Sequence, residues 1–145
     1  MKEGAHMTLE LHATPEEVMR GVETLQEFAH TKGIPARTIF GLALALEECG
    51  SNIVNHALQR DDRQVFRVSL DHTGDTFVIE LRDRGPEFDP TSTPERGPQA
   101  EEDDLPGGWG IQLVRRYTDE IHYARTGAEN VLRLTKRLDA PAVSP

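Results

Sequence analysis

Residues 64–83 read QVFRVSLDHTGDTFVIELRD, and their periodicity decides the fold class. Apolar and polar side chains alternate over 64–71 and again over 75–83, the period of a half-buried strand, and HTG at 72–74 supplies a short connection. The pair predicts an antiparallel hairpin. Upstream of it the period is helical. IFGLALALEECGSNIVNHAL (39–58) carries few charges and predicts a long helix from Pro35 to about Leu58. Before that, TPEE (14–17) offers Thr14 as N-cap, Pro15 at the first helical position and Glu17 to close a capping box. Val18, Val22, Leu25 and Phe28 then place one apolar stripe on a helix from Pro15 to about His30, ending near Gly33. MTLELHA (7–13) alternates and predicts a first strand.

Downstream, residues 84–108 hold four prolines after Phe88, several glycines and the acidic run EEDD, which rule out a regular element. A loop of that length in a compact domain is usually functional or disordered. The chain resumes as a helix from about Gly110 to Tyr117 and closes with EIHYAR (120–125) and NVLRLTKRL (130–138), two alternating segments around Gly127. The order βααββ, loop, αββ predicts an α+β protein, a two-layer α/β sandwich with helices packed on one face of a mixed, mostly antiparallel sheet.

At 145 residues, one domain over 7–138 accounts for the chain, with flexible tails at 1–6 and 139–145. The formal charge of −9 argues against a general nucleic-acid surface. No apolar run reaches the roughly 20 residues of a membrane span, and the N-terminus lacks the apolar core of a signal peptide. A lone Cys49 permits no intramolecular disulfide, so a reducing cytoplasm is the expected location.

Three places carry possible chemistry. Glu48, Asn52 and His56 are spaced i, i+4, i+8 and share one face of an otherwise apolar helix, either as its solvent-facing edge or as a functional stripe. Gly50 and Ser51 between them weaken the helix and would let a ligand or another backbone come close. Asp83 follows a strand directly and precedes Gly85, as a turn former or as an acceptor looking into a pocket beyond the strand end. Gly107, Gly108 and Gly110 open a helix, as a flexible junction or as free amides for an anion. Taken together the three are the parts of a nucleotide site, although neither the P-loop nor the Rossmann fingerprint occurs.

These motifs carry a family resemblance. EECGSNIVNHA (47–57) resembles the N box of the GHKL ATPases, the superfamily of gyrase and sensor histidine kinases. DRGPEFDP (83–90) resembles its first glycine box and GGWGIQLV (107–114) its second, in the same order and separation. The compactness, the FDP after the first box and the ending VRRYTDEIHYARTGAENVLRLTKRL look most like the bacterial anti-sigma-factor serine kinases. The resemblance runs from about Leu9 to Leu138.

It implies a Bergerat-type ATP-binding fold and a protein-serine kinase using ATP and Mg²⁺. Asn52 would hold the metal, Glu48 would be the general base and His56 would face the phosphates. Asp83 would accept a hydrogen bond from the adenine amino group, with Gly85 letting the ring approach the backbone. Residues 90–107 would form the ATP lid, and Gly108 and Gly110 would offer amides to phosphate. Phe88, Gly107 and Ile111 complete the implied nucleotide site. Three positions depart from the family pattern: Glu87 replaces the second glycine of the first box, Trp109, read as lid packing, replaces a more usual leucine, and Gln112 replaces a less polar residue. The implied partners are a STAS-type anti-anti-sigma protein, a sigma factor and a second copy of the chain, with no nucleic acid or membrane. Two functions remain open, a kinase and a non-catalytic ATP-binding module, of which only the kinase has a use for Glu48. A sensor histidine kinase fragment fits less well, since no phosphoacceptor-histidine domain precedes the fold.

Overall fold

The computed structural model describes residues 4–92 and 108–138. Strand β1 (Gly4–His12) leads into α1 (Pro15–Thr31) and α2 (Ala36–Asn52), which is continued by a π-helical turn (Ile53–Ala57). Strands β2 (Val65–Thr73) and β3 (Thr76–Asp83) follow, then a 3₁₀ turn (Pro90–Ser92), α3 (Gly108–Tyr117), β4 (Glu120–Thr126) and β5 (Glu129–Arg137).

The capping box closes as expected: Glu17 N–H donates to Thr14 Oγ1 at 3.1 Å, and His12 N–H donates to Glu17 Oε1 at 3.0 Å. Each hairpin turns through two residues, Gly74–Asp75 and Gly127–Ala128, with the glycine first and at φ +61°. That is the backbone a type II′ turn requires.

The two-layer sandwich is as expected. The sheet order is β1-β2-β3-β5-β4, and every neighbouring pair among the described residues is antiparallel, so the sheet is antiparallel throughout and not only mostly so. The reason is topological. Two helices that cross the sheet in opposite senses return the chain to the end where β1 finished, so β2 runs against β1. The single helix α3 then sends β4 parallel to β3, but β5 lies between them and runs against both.

The first strand is longer than its alternation suggested. Gly4, Ala5 and His6, expected as tail, pair with Thr73, His72 and Asp71, because β2 extends far enough to offer backbone partners. Residues 1–3 and 139–145 of the expected tails lie outside the described residues. The predicted helix over 35–58 divides into α2 and the π turn. Ile53, Val54, Ala57 and Leu58 are all buried there, so the apolar pattern continues while the hydrogen bonding widens.

All three helices cover one face. Leu11, Phe66, Val68, Leu70, Phe77, Ile79, Leu81, Leu132 and Leu134 supply the sheet side of the core, and Phe28 of α1 meets Phe77 edge to face at 6.0 Å. Burying one such ring contributes about 1.5–3 kcal/mol. The other face carries an ion-pair ladder in which Glu129 accepts from Arg67 and Arg82, and Glu80 from Arg82 and Arg133. Among the described residues no helix is long and apolar enough to cross a membrane.

Candidate functional site

The C-terminal half of α2, the end of β3 and the neighbouring β5 meet at one crevice, lined by Cys49, Asn52, Asp83, Phe88, Tyr123 and Asn130 among others. Asn52 and Asp83, far apart in the sequence, are brought together there. A roomier depression of about 300 Å³ beside Thr91, Arg115 and Thr118 contains neither, so chemistry and not size identifies the crevice.

Asp83 is 4% exposed. Its Oδ1 accepts from Gly85 N–H and from Asn130 Nδ2, both at 2.9 Å. Burial raises its pKa, and those two donors with the nearby Arg125 oppose the rise. Both protein donors converge on one oxygen, which leaves the other for a donor in the crevice. An amino group of a nucleobase has the required chemistry.

Sequence reasoning did not single out Asn130, and it organises this end of the crevice. Besides holding Asp83, its Nδ2 donates to the Pro86 carbonyl at 2.9 Å. Its Oδ1 accepts from Phe88 N–H at 3.1 Å, Arg125 Nη1 at 3.1 Å and the Tyr123 hydroxyl. Arg125 also donates to the Gly85 carbonyl at 2.7 Å. One carboxamide therefore ties β5, β4 and the 84–88 loop to the Asp83 carboxylate. The signal was present in the sequence: Asn130 shares the inward-facing phase of β5 with Leu132 and Leu134, where a polar residue is out of place unless it has a role.

Gly85 admits no side chain, since a Cβ there would overlap the Ala57 carbonyl oxygen and lie 2.9 Å from its carbon. The π turn thus presents its last carbonyl to the loop after β3. Glu87, at the position where the first glycine box usually has its second glycine, is exposed and has no positive φ, so this backbone has no need of glycine there.

The second cluster lies where α2 meets α3. Glu48 is half-buried, and its carboxylate abuts Gly110, where an added Cβ would overlap Oε2 and lie 3.0 Å from Cδ. Burial, with Glu47 next to it, raises the Glu48 pKa above the ordinary carboxylate value. One turn on, Asn52 is 8% exposed and makes no capping bond with its side chain. Among the described residues no three His, Cys, Asp or Glu side chains converge as a metal cage. A buried carboxamide oxygen suits Mg²⁺, which prefers one or two protein oxygens plus phosphate and water.

The remaining predicted residues divide. His56 is exposed within the π turn and stacks on Phe88, with ring centroids 5.5 Å apart. Gly108 and Gly110 lie in the first turn of α3, whereas Gly107 and residues 93–107 of the expected lid fall outside the described residues, as does the Trp109 side chain. Ile111 turns its side chain into the core at 2% exposure, beside Val114 on the same helix face. Gly50, read as room for a ligand or another backbone, seats Val18 of the neighbouring helix α1: a Cβ at position 50 would lie 3.2 and 3.4 Å from the two Val18 methyls.

Comparisons with known proteins agree with the fold. The serine/threonine-protein kinase BtrW of Bordetella bronchiseptica is 30% identical over 129 residues, spanning 88% of this chain and 91% of that protein. The serine-protein kinase RsbW of Listeria monocytogenes is 30% identical over 120 residues, 79% of this chain and 76% of that one. Two solved structures share the fold. A structure of RsbU and RsbW domains from Mycobacterium tuberculosis superposes with a TM-score of 0.69 at 19% identity, over 94% of this chain and 33% of that longer one. The SiaB–SiaC complex from Pseudomonas aeruginosa gives 0.66 at 13% identity, over 89% and 88%. Residues 11–136 match the family described as the histidine kinase-like ATPase domain, and the chain belongs to that family.

Proposed function

We propose that this chain is an ATP-dependent protein-serine kinase that phosphorylates a STAS-type anti-anti-sigma protein and, in its other partner state, binds a sigma factor. The observation that carries the reading is Glu48. A half-buried carboxylate of raised pKa stands against the first turn of α3, one helical turn from Asn52. A protein that only bound nucleotide would have no use for a base there.

Asp83, oriented by Asn130, reads the adenine amino group, and Gly85 lets the ring close to the backbone. The first turn of α3 directs the amides of Gly108 and Gly110 at the phosphates, where the helix dipole favours negative charge. Residues 90–107 serve as the lid. Asn52 would hold Mg²⁺ through its hard amide oxygen, and the ion would supply neutralisation of phosphate charge. Glu48 accepts the proton of the acceptor serine hydroxyl as its Oγ bonds to the γ-phosphorus. The bond from that phosphorus to the β,γ-bridging oxygen breaks, and ADP leaves. Most of the acceleration comes from positioning and electrostatics.

The test incubates the protein with γ-labelled ATP, Mg²⁺ and purified anti-anti-sigma proteins of the source organism. Labelled phosphoserine on one of them is the expected result. ATP bound without transfer to any would leave a nucleotide-dependent binding module and overturn the kinase reading.

A further inference from the structure

The polar stripe of α2 continues backward from Glu48 into a feature that the nucleotide site does not use. Leu44 and Phe40 precede Glu48 by four and eight residues, so all three share a face. Phe40 is 59% exposed, the most exposed large hydrophobic side chain among the described residues. Its ring is held in place. It meets Tyr117 of α3 edge to face at 6.3 Å, and Tyr117 is seated on Gly41, which has no side chain to displace it. The Arg116 guanidinium stands 6.0 Å from the centre of the Tyr117 ring, and both Arg116 and Arg37, one turn before Phe40, are exposed. On a chain of net charge −9, this is an aromatic knob with a cationic collar.

We infer that the Phe40–Tyr117 knob with Arg37 and Arg116 is the docking surface for the serine-bearing acceptor protein, which answers it with an apolar pocket rimmed by Asp or Glu. The inference rests on the kinase reading and adds where the substrate is held. Two observations select this occupant. The surface is continuous with the catalytic base: eight helical residues separate Phe40 from Glu48, about 12 Å at 1.5 Å per residue. A small folded protein seated on Phe40 therefore reaches the base with a serine at the edge of its own contact face. The collar's charge is opposite to that of the molecule as a whole, so it attracts an acidic rim and repels the basic surfaces that the rest of the chain would draw in. A preset aromatic anchor also loses little side-chain freedom on binding.

The test uses the acceptor that the wild-type protein phosphorylates, with Phe40→Ala and Arg37→Glu variants of the full chain. Expected is a rise of at least about tenfold in KM for the acceptor in each, the size typical of losing one anchor or reversing one rim charge. ATP affinity and acceptor-independent ATP hydrolysis stay unchanged. Arg37→Glu lies at an exposed position and controls for any loosening of Tyr117 in Phe40→Ala. Unchanged acceptor KM in both variants, with transfer intact, overturns the docking surface alone. No transfer by the wild-type protein overturns it together with the kinase reading. If sedimentation shows that the variants lose self-association while acceptor KM is unchanged, the knob belongs to a second copy of the chain and the inference fails.

Discussion

The carboxylate of Glu48 rests against the α-carbon of Gly110, so α2 and the first turn of α3 meet at a point where one helix contributes a carboxylate and the other contributes only backbone. A methyl group at 110 would occupy the space of Oε2. Since the obstructed group is the free end of a flexible side chain, it can swing aside without disturbing the core. Gly110→Ala is therefore expected to lower kcat for phosphotransfer by about a hundredfold, the scale of a 1 Å misplacement. The stability cost should stay at about 1 kcal/mol or less. Steady-state kinetics and a thermal melt on one preparation separate the two effects.

Glu48→Gln tests the opposite balance. The folded-state pKa of Glu48 is raised, so the unfolded chain loses this proton first as pH rises, and the ionised group opposes folding above the folded pKa. Removing the charge should raise the melting temperature at neutral pH and reduce transfer by about 10² to 10⁴. In the wild type the acid limb of kcat should fall above the ordinary carboxylate range, because the base works only when deprotonated. A limb at the ordinary value, or a variant that melts lower at neutral pH, would contradict the assigned burial.

Asn130→Ala removes the donors to Asp83 and Pro86 and the acceptor of Phe88 N–H and the Tyr123 hydroxyl in one step. Buried groups left without partners cost about 1–3 kcal/mol. Calorimetric titration should show ADP affinity at least about tenfold weaker, since about 1.4 kcal/mol is a factor of ten. Circular dichroism should show the sheet retained. Wild-type affinity in this variant would mean that Asp83 needs no positioning.

Glu17 gives a pH test remote from the site. Its carboxyl is held at about 2 by the Arg20 hydrogen bond and by His12 N–H. The folded value is depressed, so the stabilisation is complete above the unfolded carboxylate value of about 4.3 and is lost as pH falls through the folded one. Wild type and Glu17→Gln should thus differ in melting temperature at neutral pH and converge below the folded value. A difference that persists unchanged at the lowest pH would assign the effect to packing instead of charge.

The parts of the fold visible in the sequence were those with local causes. Alternation exposed the central hairpin, and Thr14, Pro15 and Glu17 announced α1 because the cap is built from neighbours. Strand order was not visible: the insertion of β5 between β3 and β4 depends on pairing across tens of residues, on which alternation is silent. The π turn was hidden for a related reason. Ile53, Val54 and Ala57 keep burying apolar surface through it, while the change is in hydrogen bonding alone. In the site, Glu48 and Asn52 stood out as polar residues on an otherwise apolar helix, and Asp83 as a carboxylate directly after a strand and before Gly85. Asn130 had the same mark on β5 but sat at the start of its strand, where a turn explains a polar residue equally well.

The β3–β5 pairing described above also sets when the site can exist. Asp83 and its partner Asn130 are 47 residues apart, and the second of them belongs to the last strand among the described residues. Closing so long a loop costs chain entropy that only the finished strand repays. Before β5 pairs with β3, the Asp83 carboxylate has no orienting amide. On the proposed reading, nucleotide recognition is in this sense a check on completion of the domain: a molecule without β5 keeps Glu48 and Asn52 but lacks the amide that orients Asp83.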